Sequence, residues 1–235
     1  MAISGSTDFN QTRTQLIDGA LRAIGVLRSG DTVENDSTLE SDCAESLNLM
    51  LKSWQTLGIQ LWVRKDETIT WLEDVRVKTV KYPGGDVNIA QPLRIVHANR
   101  RDSSNIDTPM ISMTKDEYNK QSSKFATGTP VQYYYDVGLT EGNLYVWPVP
   151  TSNTNVVITY HDQFDDMDSN INTPEFPSSW LEAVKFNLAI RLAPEFGISV
   201  PQEVAALAGI TLENAQAEGY EEGSLWLRPN RKGRR

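Results

Sequence analysis

Between residues 12 and 27, Leu16, Ile17, Ala20, Leu21, Ile24 and Leu27 recur at spacings of three and four, which places them on one face of a helix that Gly30 closes. From Ser37 the order Ser-Thr-Leu-Glu reads as a capping box, with Ser37 at the N-cap and Glu40 at the third helical position. Leu39, Cys43, Leu47, Met50, Leu51, Trp54 and Leu57 then follow on one stripe, and Gly58 supplies the stop. The two segments predict a helical hairpin.

The period changes between about residue 67 and residue 161. TITWL, VRVKTV, LRIVHAN, VQYYYD, LYVWP and NVVITYH are rich in β-branched and aromatic residues. YPGGD, RRDSSNID, VGLTEGN and PVPTSNTN separate them, and such turn clusters suit antiparallel hairpins rather than crossover connections. Within this region Thr114 and Glu117 form a second capping box, which opens a short helix to Gln121. From Ser178 the helical period returns through Trp180, Leu181, Val184, Phe186, Leu188, Ile190 and Leu192 until Pro194 ends it. These apolar positions cover more than one face, so the helix is either central to the core or covered by a neighbouring subunit. Another helix runs from Pro201 to about Tyr220, and Gly223 begins a tail.

The expected fold class is α+β: a bundle of N- and C-terminal helices with an inserted antiparallel β lobe and an extended C-terminal arm. The expected divisions are a helical hairpin over 1–62, the lobe over 63–165, helices completing the bundle over 166–222, and a basic arm over 223–235.

Composition narrows the function. A chain of 235 residues, 39% apolar, can bury a sizeable core. No run reaches the 18 or so apolar residues of a membrane span, and the opening MAISGSTDFNQTR lacks the basic-then-apolar order of a secretory leader, so the expectation is a soluble protein made in the cytoplasm. The single cysteine, Cys43, falls on the apolar stripe and reads as a core residue. The net charge of −9 conceals an asymmetry. Five of the 22 basic side chains lie in residues 228–235, which leaves the preceding 227 residues with 17 bases against 31 acids, a balance of −14. Duplex binding by the folded body is disfavoured, because phosphate contacts dominate such affinity.

No segment carries catalytic spacing. His97 and His161 sit in strand segments without HExxH, CxxC or triad context, so neither metal nor cofactor is expected. Gly84 and Gly85 stand in a turn without phosphate-loop order. Asp162, Asp165, Asp166 and Asp168 look like a cation loop but lack its glycine and bidentate Glu, which favours a solvated linker or a partner-facing charge cluster. Alternation puts Tyr133 and Tyr135 on one sheet face, for packing or for an interface. Tyr133, Tyr135, Trp147, Asp165 and Asp166 are the candidates for contact with a neighbouring protein.

The least ordinary segment is LWLRPNRKGRR. Leu225, Trp226 and Leu227 precede five positive charges, beyond a helix already ended by Gly223. Aromatic and Arg side chains are the usual hot spots of interfaces, and thirteen residues span at most about 45 Å when extended. An arm that docks on another protein is the expectation.

The order of these segments resembles the head-to-tail adaptor proteins of short-tailed bacteriophages, also described as tail accessory factors, packaged-DNA stabilisation proteins or tail tubular protein A. The resemblance rests on TQLIDGALRAIGVLRSGDT, LNLMLKSWQTLGIQLW, TPVQYYYD, LYVWPVP, ITYHDQFDDMD and NTPEFPSSWLEAVKFNLAIRLAPEFG, and covers most of the chain. It implies a non-enzymatic virion subunit at the head–tail junction, in a ring typically of twelve copies beneath the portal protein. The ring would extend the DNA channel without sequence-specific binding and anchor a tail nozzle or hub, with tail fibres or tailspikes as further partners. Leu225, Trp226, Leu227, Arg228, Arg231, Lys232, Arg234 and Arg235 would dock on the portal. Two alternatives are a virion-associated cell-wall glycan hydrolase using Glu175, Glu182 or the Asp162–Asp168 acids, and a carbohydrate-binding module built on the lobe's Tyr and Trp residues.

Overall fold

The computed structural model describes residues 9–55 and 63–218. Helix α1 (Arg13–Ala23) opens on a capping box in which the Thr12 hydroxyl accepts the Gln15 amide and the Gln15 side chain accepts the Thr12 amide. It is shorter than the spacing predicts. The chain leaves the helix at Ile24, and Gly25 takes the left-handed φ of 81° that a side chain would resist, so Gly25 and not Gly30 is the stop. Helix α2 (Ser37–Trp54) is capped by Asp36, whose carboxylate accepts the amides of Thr38 and Leu39. The predicted Ser37 cap is thus displaced by one residue, because Asp36 holds the extended backbone that a cap needs and Ser37 is already helical. Leu57 and Gly58 lie outside the described residues.

Ten strands follow among the described residues: β1 (Arg64–Trp71), β2 (Val77–Val80), β3 (Arg94–Arg101), β4 (Asp107–Pro109), β5 (Ile111–Ser112), β6 (Thr127–Gly128), β7 (Gln132–Val137), β8 (Gly142–Trp147), β9 (Val149–Pro150) and β10 (Thr154–His161), with α3 (Lys115–Lys120) between β5 and β6. They form two four-stranded sheets, ordered β1-β10-β3-β4 and β2-β8-β7-β5, and a two-stranded pair β6-β9. The long pairings are antiparallel as expected, but β5–β7 and β6–β9 are parallel pairs of two residues each. The sheets face one another across a shared core of Ile69, Trp71, Ala98, Val156, Ile158 and Tyr160 from one, and Val80, Tyr133, Leu144 and Val146 from the other. Residue alternation decides the fate of the three consecutive tyrosines. Tyr133 and Tyr135 point into this core, while Tyr134 points outward and stacks with Tyr118 of α3 and Tyr145 of β8. A side chain at Gly142 would collide with the Tyr135 ring, which explains glycine at the start of β8.

After β10 the chain returns to the helices. A 3₁₀ turn at Ser178–Trp180 leads into α4 (Leu181–Leu192), and α5 (Gln202–Glu218) packs on it. Helix α4 is the centre of the bundle, with Leu181, Val184, Leu188, Ala189 and Leu192 meeting α1 and α2, and Ala183 meeting Ala215 of α5. Of the two readings of its wide apolar arc, the central one holds. No helix among the described residues is long and apolar enough to cross a membrane.

Candidate functional site

The acidic stretch after β10 is neither a free linker nor a loop around a central point. It is a strap laid across the bundle and pinned at nearly every residue. Asp162 is paired with Lys65 at 2.7 Å, and Lys52 of α2 donates to the Phe164 carbonyl at 2.5 Å and pairs with Asp166 at 2.8 Å. Asn48 donates to the Met167 carbonyl and accepts the Met167 amide, so its side-chain amide acts as a strand-like partner for one residue. Arg13, nearly buried, donates to the same carbonyl at 3.2 Å and to Glu40 at 2.6 Å. Further on, Asn170 and Asn172 accept the backbone amides of Thr14 and Arg13, completing the first turn of α1. Phe164 and Met167 are buried, Met167 in the bundle core, so the strap alternates apolar plugs with exposed carboxylates at Asp165, Asp166 and Asp168.

The strap and the turn that follows it enclose a groove of about 390 Å³, whose floor is Leu51, Phe164, Met167 and Phe176 and whose rim carries Asp165, Asp166 and Glu175. Phe164 and Phe176 meet edge to face with ring centres 6.5 Å apart. Ile171 stands at the groove 75% exposed. Phe176 also touches the cluster of Trp180, Ala183 and Ala215, which is where α5 reaches its last turns. The second apolar surface is the outer side of α5. Ala205, Ala206, Leu207, Gly209 and Ile210 are exposed there, in the stretch of α5 between Val204 and Ile210 that carries no polar side chain.

The candidate contact residues separate into two groups. Tyr133 is 2% exposed, and the Tyr135 hydroxyl donates to the Pro92 carbonyl inside the lobe. Burial pushes both phenols upward in pKa. Trp147 is half-buried with its indole N–H on the Ser123 carbonyl, and Asp165 and Asp166 are exposed on the groove rim. Leu225, Trp226, Leu227, Arg228, Arg231, Lys232, Arg234 and Arg235 lie outside the described residues. Neither the strap's plugging function nor the groove is visible in any one segment; the only local trace is Phe164 and Met167 set among acids.

Among the described residues, four carboxylates are displaced in acidity: Asp86 by the Thr79 amide, Asp107 by the Arg101 guanidinium, Glu117 by the Thr114 amide and Asp136 by the Tyr134 hydroxyl. All four are lowered, opposite to what a general acid requires. His161 is buried on β10 beside Arg64, and burial together with the Arg94 and Arg64 charges lowers its pKa. Cys43 lies in the bundle core, where burial, then Glu195 and Asp42, push its thiol up to about 11. Among the described residues, no three His, Cys, Asp or Glu side chains group closely enough to hold a metal ion.

A family model described as SU10 adaptor protein matches residues 11–221, which takes in both helical pairs and the whole lobe. No curated protein matches the sequence.

Proposed function

The chain belongs to the SU10 adaptor protein family of phage structural adaptors, and from that premise we propose that it is the head-to-tail adaptor of a short-tailed phage. Family membership places it in the virion, among other phage head and tail proteins. On the proposed reading, copies associate side by side in a ring of twelve beneath the portal, extend its DNA channel, and anchor the tail nozzle or hub and through it the fibres or tailspikes.

The observation that carries ring formation is the outer side of α5. Leu207 and Ile210 are 39% and 54% exposed, beside exposed Ala205, Ala206 and Gly209, on a helix whose exposed Gln202, Glu203, Glu213 and Asn214 lie toward its two ends. Small residues let a neighbouring backbone approach closely, and a stripe of this kind is covered in an assembly. A head-to-tail contact of this type closes into a ring when its rotation permits. The basic arm is the portal-docking element, with Trp226 as its anchor and Arg228, Arg231, Lys232, Arg234 and Arg235 as its charges. Trp147 and the Asp165–Asp166 rim are the surfaces offered to the nozzle or to a neighbouring subunit, while Tyr133 and Tyr135 belong to the core between the sheets. An acidic body, −14 over residues 1–227, suits a conduit wall that does not retain DNA.

Co-sedimentation with purified portal particles tests the arm. The full chain is expected to sediment with portal, and a chain ending at Gly223 is expected to remain in the supernatant while keeping the same circular dichroism. Equal sedimentation of the two would remove the arm from the portal contact.

A further inference from the structure

We infer that the groove between the strap and α2 holds the chain's own C-terminal segment, residues 224–235, in the subunit that has not yet met a portal. The inference rests on the portal-docking reading for its consequence, though not for its test.

Three observations specify the occupant. The floor is apolar, made of Leu51, Phe164, Met167 and Phe176, and its volume of about 390 Å³ lies within the roughly 300–1,000 Å³ of pockets that bury a side-chain-sized ligand. The rim is acidic: Lys52 pairs with Asp166 and Lys65 lies near enough to feel the charge of Glu175, while Asp165 and Glu175 are exposed and form no salt bridge among the described residues. A ligand for such a groove needs a bulky apolar group followed by several cations. Ser224–Arg235 has that order, Leu-Trp-Leu and then five positive charges, and no other part of the chain does.

Connectivity supplies the third. Helix α5 is described as far as Glu218, one turn beyond Ala215, and Ala215 packs in the cluster to which Phe176 of the groove floor belongs. From Glu218 to Leu225 there are seven residues, which span up to about 25 Å. The described part of α5 therefore stops beside the groove, and the residues that follow are numerous enough to reach it. An intramolecular partner of this kind competes at a high effective concentration, on the order of millimolar for a short linker.

The consequence is an order of assembly. While the arm occupies its own groove, neither the portal-docking charges nor the Asp165 rim is available to a partner. A portal that takes the arm uncovers the rim, so the face offered to the next protein appears only on subunits already seated. The apparent affinity for portal is reduced by the fraction of subunits with the arm withdrawn.

Hydrogen exchange of the full chain without portal tests the contact directly. Peptides covering 164–176 and 225–231 are expected to exchange at least about tenfold more slowly in the natural chain than in the double variant Asp165→Lys/Glu175→Lys. Both substituted residues are exposed, so the variant should fold, with a melting temperature lowered by no more than the few degrees that loss of the arm contact entails. Should that variant fold poorly, Leu225→Ser/Trp226→Ser, which lies outside the described residues, is expected to release residues 164–176 to the same extent. Exchange of 225–231 in the natural chain at the rate of an unprotected peptide would overturn the inference. So would protection of 164–176 that is unaffected by either variant, which would mean that the groove is covered by something else, and protection that grows with protein concentration, which would make the occupant a second copy's arm. Portal affinity of Asp165→Lys/Glu175→Lys should then rise about tenfold; absence of any portal binding would count against the portal reading alone and leave the exchange result standing.

Discussion

The strap is the joint between lobe and bundle, and Arg13 is the residue whose loss should show how firmly it is held. Its guanidinium is buried with 10% of the side chain exposed, paired at 2.6 Å with Glu40, of which 16% is exposed, and bonded to the Met167 carbonyl at 3.2 Å. Removing one member of a buried pair typically costs about 3–5 kcal/mol, because the remaining charge is left uncompensated. Two details set the expected value at the lower end. The Met167 carbonyl keeps Asn48 as a donor, and the Arg13 Nε is already buried without a partner, which subtracts from the worth of the native arrangement. Arg13→Ala is therefore expected to cost about 3 kcal/mol. In a chain of this size that is a fall in Tm of roughly 6–12 °C. Glu40→Gln keeps an acceptor and should cost less, and Arg13→Met/Glu40→Leu, which removes both charges and refills the volume, should recover stability to within about 1 kcal/mol of the natural chain. Thermal unfolding by circular dichroism measures all three. A fall of less than about 2 °C for Arg13→Ala, or a double variant no better than the single, would refute the reasoning.

Three further outcomes follow from named groups. Asp36→Ala should cost about 1 kcal/mol and Ser37→Ala close to nothing, since the Asp36 carboxylate makes the cap bonds; equal costs in thermal melts would restore Ser37 as the cap. Cys43, with its thiol pushed up to about 11 in the core, should react with an aromatic disulfide reagent at pH 8 only as fast as the bundle opens, so that its rate rises with urea; prompt labelling in buffer would contradict its placement. His161 binds its proton more weakly in the fold than at its ordinary value of 6.5. The unfolded chain is then favoured as protons bind it, so stability is complete above about pH 6.5 and declines as pH falls from there toward the lowered folded value, and His161→Gln should flatten that decline in Tm against pH.

Local periodicity makes the elements legible, whereas contacts across the chain stay hidden. The stripes from Leu16 and Cys43 locate α1 and α2, and the wide arc around Val184 and Leu188 marks the central helix. Boundaries are set by particular residues that periodicity does not weigh: Gly25 ends α1 two residues before Leu27, and Asp36 and Ser37 are adjacent residues equally able to cap. Alternation sorts Tyr133, Tyr134 and Tyr135 correctly between the two faces, but it does not say that both faces are covered, one by the opposite sheet and the other by α3. The groove joins Leu51 to residues more than a hundred positions away, and its acids look like any solvated cluster until Lys52, Asn48 and Arg13 are seen to pin their backbone. The two parallel pairs have the same origin, being two-residue contacts with no pattern of their own.

Electron microscopy of purified portal rings mixed with the protein is the most direct test of the adaptor role. The account predicts added density in a closed ring on one face of the portal, one subunit per portal subunit, present with the full chain and lost when residues 224–235 are removed. Portal rings that stay bare in the presence of the full chain, or that gain the same ring without those residues, would contradict it.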